Sequence, residues 1–177
     1  PMERIGVPIL VLLSRSLDEV LGNVRLIAQA GGVPERGDAL AARLQARLAL
    51  VDTRVAGRTP PTMLMLTGRL GNGMLLVARA DTYTGEAMLR AGGRFALAGA
   101  GAVPQVSPEA VLAADPDVLL FAGTQDALRD LVSQPGWRDM RAVRAGRAVS
   151  VSRSEFLIPG PRTVDGVGKL AQWLHPA

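Results

Sequence analysis

Val106-Ser107-Pro108-Glu109-Ala110-Val111-Leu112-Ala113-Ala114-Asp115-Pro116-Asp117-Val118-Leu119-Leu120-Phe121 reads as a short helix feeding a buried strand. Ser107 can accept a first-turn amide, and Pro108 suits the first helical position, where its missing N–H costs nothing. Pro116 marks the turn between helix and strand. Asp117 to Phe121 is then a short aliphatic run with strand character. The same alternation surrounds it. Met63-Leu64-Met65-Leu66 reads as a strand, Gly68 to Gly73 as a Gly-rich loop, and Met74 to Ala78 as a second extended run. Asp81, Thr82 and Thr84 offer caps for a helix through Met88 to Arg90, stopped by Gly92-Gly93. Gln125 to Val132 is helical, Trp137 anchors a turn, and Ala148 to Val151 is the last strand. Pro161 opens a final helix with Val164, Val167, Leu170, Ala171 and Leu174 on one face. From residue 61 onward the expectation is α/β, a Rossmann-like unit with a mainly parallel sheet.

Upstream the pattern is helical. Ser16-Leu17-Asp18-Glu19 fits a capping box, and Leu17, Val20, Leu21, Val24, Ile27 and Ala28 follow at helical spacing up to Gly31-Gly32. Leu40, Leu44, Leu48, Val51 and Val55 form the next stripe. A helix from Pro34 to Ala56 would be about 34 Å long, a spine rather than a connector. Before both, Val7 to Leu13 reads as a buried aliphatic strand.

Composition narrows the function classes. The chain has 177 residues, enough for one core of ordinary size, and 48% of them are apolar. Lys169 is the one lysine among 20 basic residues, and the net charge is +4. The arginines are scattered, so no nucleic-acid surface is expected. With no cysteine there is no disulfide, thiolate metal site or Cys nucleophile. No apolar run approaches the ~20 residues of a membrane span, and no signal peptide is visible.

Enzyme signatures fall away. His175, the one histidine, lies two residues from the end and reads as a frayed surface residue, so a Ser-His-Asp triad or His-rich metal site is not expected. Gly166-Val167-Gly168-Lys169 lacks the Ser or Thr of a phosphate loop, because Leu170 follows, and it reads as helix. Gly99-Ala100-Gly101 lacks the third glycine of a dinucleotide fingerprint and reads as loop. Asp115 and Asp117 read as solvated loop acids rather than a catalytic pair.

The quoted segment 106–121 is similar to a recurring element of helical-backbone substrate-binding proteins, which serve ABC importers of haem, siderophores and cobalamin. Gly160-Pro161-Arg162-Thr163 resembles the haem-binding branch, as does Met74 through Ala78-Arg79 and Thr82 to Ala87-Met88, followed by Ala91-Gly92-Gly93. Arg15 to Val20 and the two helices after it look like the family's interlobe spine. The resemblance covers the chain from about residue 5. It implies residues 1–33 as the remnant of an N-terminal lobe, 34–60 as the spine and 61–177 as the C-terminal α/β lobe, with the N-terminal lobe missing.

The resemblance also implies a role: the periplasmic receiver of haem, as cargo rather than cofactor, for an ABC permease, without catalysis. A siderophore or cobalamin carrier, or a ligand-free docking lobe, is the alternative. Glu109 matches the family's C-terminal docking glutamate, and a first-turn carboxylate also suits the helix dipole. Positions beyond strand C-termini nominate Arg69, Met74, Arg79, Thr82, Tyr83, Arg153 and Phe156 as cleft residues. Arginines there could pair propionates, and Met74 and Phe156 could lie against a porphyrin face. Tyr83 is the one tyrosine. The family's axial tyrosine belongs to the N-terminal lobe, so Tyr83 is not that residue by position. A homodimer or domain swap through Val7 to Leu13 is expected from an unpaired aliphatic strand.

Overall fold

A computed structural model describes residues 6–97 and 105–176; Gly99-Ala100-Gly101 lies outside them. Two strands carry the architecture. β1 (Thr62–Arg69) and β5 (Val118–Ala122) pair in parallel, from Met63 opposite Val118 to Leu66 opposite Phe121. Side chains alternate across a strand, and here both faces are covered. Met63, Met65, Val118 and Leu120 face one core. Leu64, Leu66, Leu119 and Phe121 face the other. The sequence is therefore continuously apolar instead of alternating.

The first core lies under four helices: α1 (Leu17–Ala30), α2 (Pro34–Val55), α3 (Tyr83–Arg90) and α8 (Pro161–Leu174). At 22 residues α2 is about 33 Å long. Leu44, Leu48 and Val51 are its buried stripe, as the spacing predicts. Leu17 and Leu21 of α1 join the same core. The second core lies under α4 (Pro108–Ala114), α5 (Gln125–Val132) and the turn at Trp137–Asp139, then α6 (Arg141–Arg144). Trp137 is buried there, as expected of an anchor.

The sheet order is β4-β2-β1-β5-β6, with β3 (Arg94–Phe95) also on β1. β6 (Ala148–Val151) pairs in parallel with β5. β2 (Leu75–Val77) and β4 (Gln105–Val106) are antiparallel additions at the other edge. The loop expected at Gly68 to Gly73 is thus the tip of a hairpin, and β1 runs on through Arg69. Local pattern does not distinguish a hairpin return from a crossover when both strands are short and apolar.

Several expectations are corrected. Val7 to Leu13 is not a buried strand: it forms no ladder and Val11 is 73% exposed. An apolar run becomes a buried strand only where a neighbour supplies the hydrogen bonds. His175 is not frayed. It is 7% exposed, and its Nε2 lies 3.0 Å from the Gly92 carbonyl oxygen. Arg54 also donates to the His175 carbonyl, holding the C-terminal end against α2.

Ser16 caps α1 as expected, but Glu19 returns to the amide of Arg15 rather than to that of Ser16. Asp115 and Asp117 are not simply solvated. Asp115 ends α4 at φ 38° and accepts from the backbone and guanidinium of Arg141. Asp117 accepts from the Thr62 amide at 2.9 Å and hydroxyl at 2.7 Å, and pairs with Arg141 at 3.1 Å. These contacts fasten the starts of β1 and β5 together.

The Thr62 hydroxyl first, then its amide, holds the Asp117 carboxyl below its ordinary 3.8. A depressed folded-state value stabilises the protein above the unfolded value, and that contribution is lost as pH falls through the folded one. Asp117→Ala should cost about 1 kcal/mol at neutral pH by urea denaturation, modest because the side chain is partly solvated. The gap to wild type should begin to close as pH falls past 3.8.

Candidate functional site

In a sheet with parallel centre strands, ligand groups gather beyond the strand C-termini, where loops diverge. Four segments converge at that end here. The first is the β1–β2 hairpin. Arg69 closes β1 opposite Leu75 and is exposed. Leu70 donates to the Met74 carbonyl at 2.8 Å, and Gly73, at φ 83°, permits the turn. Met74 is half-buried at its foot.

The second segment is the start of α3. This helix runs back toward the start of β1, because β3, which follows it, pairs with Thr62 and Met63. Its N-terminus therefore lies at the far end of the sheet. Thr82 caps it, accepting from the Gly85 amide at 3.2 Å and donating to the Arg79 carbonyl at 2.8 Å. Tyr83 is half-buried, and that burial pushes its phenol above the usual 10.0. The Thr84 hydroxyl donates to the Phe156 carbonyl at 2.6 Å, tying α3 to the loop after β6. Arg79 is ion-paired with Asp81.

The third segment follows β6. Arg153 opens α7 (Arg153–Phe156). Its Nη1 donates to the Thr67 carbonyl at 2.9 Å and the Ala122 carbonyl at 3.1 Å. One guanidinium thus bridges the ends of β1 and β5. Phe156 is corrected as a ligand-facing ring: it is 2% exposed, in the core beneath α8. The apolar side chain presented nearby is Ile158, 58% exposed. Residue type alone favoured the ring; only the path of the chain after α7 shows which side chain turns outward.

Arg162, next to this loop, belongs to the Gly160-Pro161-Arg162-Thr163 motif and is not among the cleft positions that strand ends predict. It is exposed, and it lines a shallow hollow with Ser154, Ile158 and Pro159. The rest of that motif has a structural account. Pro161 starts α8, and the buried Thr163 hydroxyl accepts from the Gly160 amide at 3.3 Å.

The fourth segment is the start of α4. β4 runs toward the hairpin end, pairing Val106 with Leu75, so Ser107 and Glu109 lie at the same end of the sheet. Ser107 caps α4 through the Ala110 amide at 3.2 Å. Glu109 is exposed. Its own amide, then the Ser107 hydroxyl, lowers its carboxyl below 4.5, so it is ionised at neutral pH.

This end therefore carries Arg69, Arg79, Arg153 and Arg162 with small polar caps and exposed apolar side chains. Among the described residues no group of three His, Cys, Asp or Glu is placed to hold a metal. No helix among them is long and apolar enough to cross a membrane. The fold is that of an α/β lobe, and the chemistry of this end suits contact with an anionic, partly apolar molecule.

Residues 3–153 match the family described as periplasmic binding protein, and the chain belongs to that family. It is similar to the periplasmic heme-binding protein RhuT of Roseiflexus sp. RS-1, with 33% identity and a TM-score of 0.79 over 92% of this chain and 64% of that one. It is also similar to a periplasmic heme-binding protein of Pseudomonas aeruginosa, at 28% identity and TM-score 0.84 over 99% and 66% of the two chains. The uncharacterized ABC transporter substrate-binding lipoprotein YvrC of Bacillus subtilis (strain 168) is 22% identical over 92% of this chain and 52% of its own. The fold is shared by the vitamin B12 binding protein BtuF of Vibrio cholerae at 22% identity and TM-score 0.81, over 98% and 67% of the two chains. The chain thus spans about half the length of the curated relative and under two thirds of RhuT.

Proposed function

We propose that this chain is the spine and C-terminal lobe of an extracytoplasmic, periplasmic substrate-binding component of an ABC importer, and that its cargo is haem. The observation that carries the ligand is the 33% identity with RhuT over 92% of the chain, with a second heme-binding protein at 28%. The site supports it. Haem is a large apolar plane with two carboxylates, and this end of the sheet offers arginine forks beside Met74 and Ile158. Arg79 is the carboxylate-binding residue of this reading, with Arg69 nearby, and Arg153 positions the ends of β1 and β5. A siderophore or cobalamin is the alternative cargo. The protein performs no catalysis.

One lobe buries one side of a ligand, so affinity is expected to be weak. Titration with hemin, a ferric hydroxamate and cobalamin, read by tryptophan quenching and the Soret band, should show weak binding that favours hemin. Preference for either of the others would overturn haem as cargo, and tight hemin binding by the monomer would overturn the half-site account.

Glu109, ionised and exposed at the same end, is the proposed docking group for arginines of the permease. Glu109→Arg should leave the fold intact by circular dichroism and abolish stimulation of the permease ATPase in proteoliposomes. Undiminished stimulation would remove Glu109 from the interface.

A second reading is self-association through Val7 to Leu13. It is favoured by that segment's exposure, with Ile9 and Leu10 each at 48%. An unpaired aliphatic stretch is a template for another chain. Sedimentation should show a concentration-dependent dimer that Val11→Lys weakens; a monomer at all concentrations would exclude it.

A further inference from the structure

Arg79 and Asp81 are two residues apart and form a fork-to-carboxylate pair. Nε of Arg79 donates to Oδ1 at 2.8 Å, and Nη2 donates to Oδ2. The pair raises the guanidinium pKa and lowers that of the carboxyl. The backbone that holds it is tight. The Arg79 carbonyl accepts from the Thr82 hydroxyl at 2.8 Å and sits where a Cβ on Gly85 would overlap it. The segment between β2 and α3 is thus folded hard onto the first turn of α3. It leaves the Arg79 and Asp81 side chains partly solvated, at 33% and 54% exposure. The side-on edge of the fork, Nε–H with one Nη2–H, is already occupied by the protein's own carboxylate, which leaves the end-on Nη1/Nη2 edge for any other acceptor.

We propose that Asp81 is a built-in competitor for ligand carboxylates at Arg79, and so sets the affinity and selectivity of that subsite. The inference rests on the reading of Arg79 as a carboxylate-binding residue. Its physics is an exchange. An incoming carboxylate takes the side-on edge only by displacing Asp81, and at the end-on edge it meets the negative charge of Asp81 across the same guanidinium, so either way a carboxylate ligand binds more weakly than at a free arginine. Exposed ion pairs are weak, so the competition discourages small single carboxylates and still yields to a ligand with further contacts. A ligand without a carboxylate feels no such competition.

A double-mutant cycle tests this, with wild type, Asp81→Asn, Arg79→Gln and the double variant titrated with hemin and with hemin dimethyl ester. Asp81→Asn should tighten hemin by about two- to fivefold, the range expected from releasing an exposed pair. It should leave the ester unchanged and give no gain when Arg79 is Gln. Asp81→Ser, a second neutral variant, should reproduce the gain. A gain that persists in the Arg79→Gln background is general charge relief and overturns the proposal. If Arg79→Gln weakens hemin while both Asp81 variants leave it unchanged, Arg79 remains the carboxylate site and the competition is excluded. If neither position affects hemin, the reading of Arg79 falls and the proposal falls with it.

Discussion

The parallel register of β1 on β5 is the constraint on which the rest depends. Each strand is apolar on both faces, and each face has its own helical layer. A one-residue slip of β1 would exchange Met63 and Met65 with Leu64 and Leu66 between cores shaped for other side chains. The pairing of Asp117 with the amide and hydroxyl of Thr62 sets that register at the start of both strands. At the other end Arg153 donates to a carbonyl of each. Polar contacts of this kind add little net stability, but a wrong register would leave their partners unsatisfied. Apolar burial drives the sheet together, and the polar ends choose which pairing survives.

This arrangement has consequences for the site. With the strand ends held, the hairpin, the α3 start, the loop after β6 and the α4 start are presented from one rigid edge. Arg153 serves that edge from within, by holding backbone. Arg69 and Arg162 are exposed, and Arg79 is held by Asp81. Four arginines of one type thus have different environments, and their electrostatic availability differs accordingly. A site described only as basic would miss that the side-on edge of the Arg79 fork is already occupied.

The long helix α2 has a related role. Its stripe of Leu44, Leu48 and Val51 packs into the core beneath α8, and Asp52 takes a bidentate bond from Arg90 of α3. The helix is therefore part of the lobe rather than a lever attached to it.

Local chemistry was enough to set the main helices and the strands β1, β2, β5 and β6, in their order. Ser107 with Pro108, Thr82 and Pro161 start helices, and the stripes of α2 and α8 bury as their spacing says. Caps and periodicity act between residues a few positions apart, so the chain records them directly. Arg69 and Arg153, at the ends of β1 and β6, were legible for the same reason, because strand direction places them, whereas Arg79 and Arg162 reach this end through the turns before α3 and α8. Burial and partnership were decided by neighbours far along the chain. Val7 to Leu13 is as apolar as β5 but lies exposed, since no strand among the described residues lies beside it. His175 is two residues from the terminus yet buried, because Gly92 offers it an acceptor. Phe156 turns into the core and Ile158 out. The hairpin turns β2 antiparallel within the mainly parallel sheet, a direction that its short apolar run does not record. Periodicity reports how a segment would bury a face; only the tertiary fold supplies the surface it is buried against.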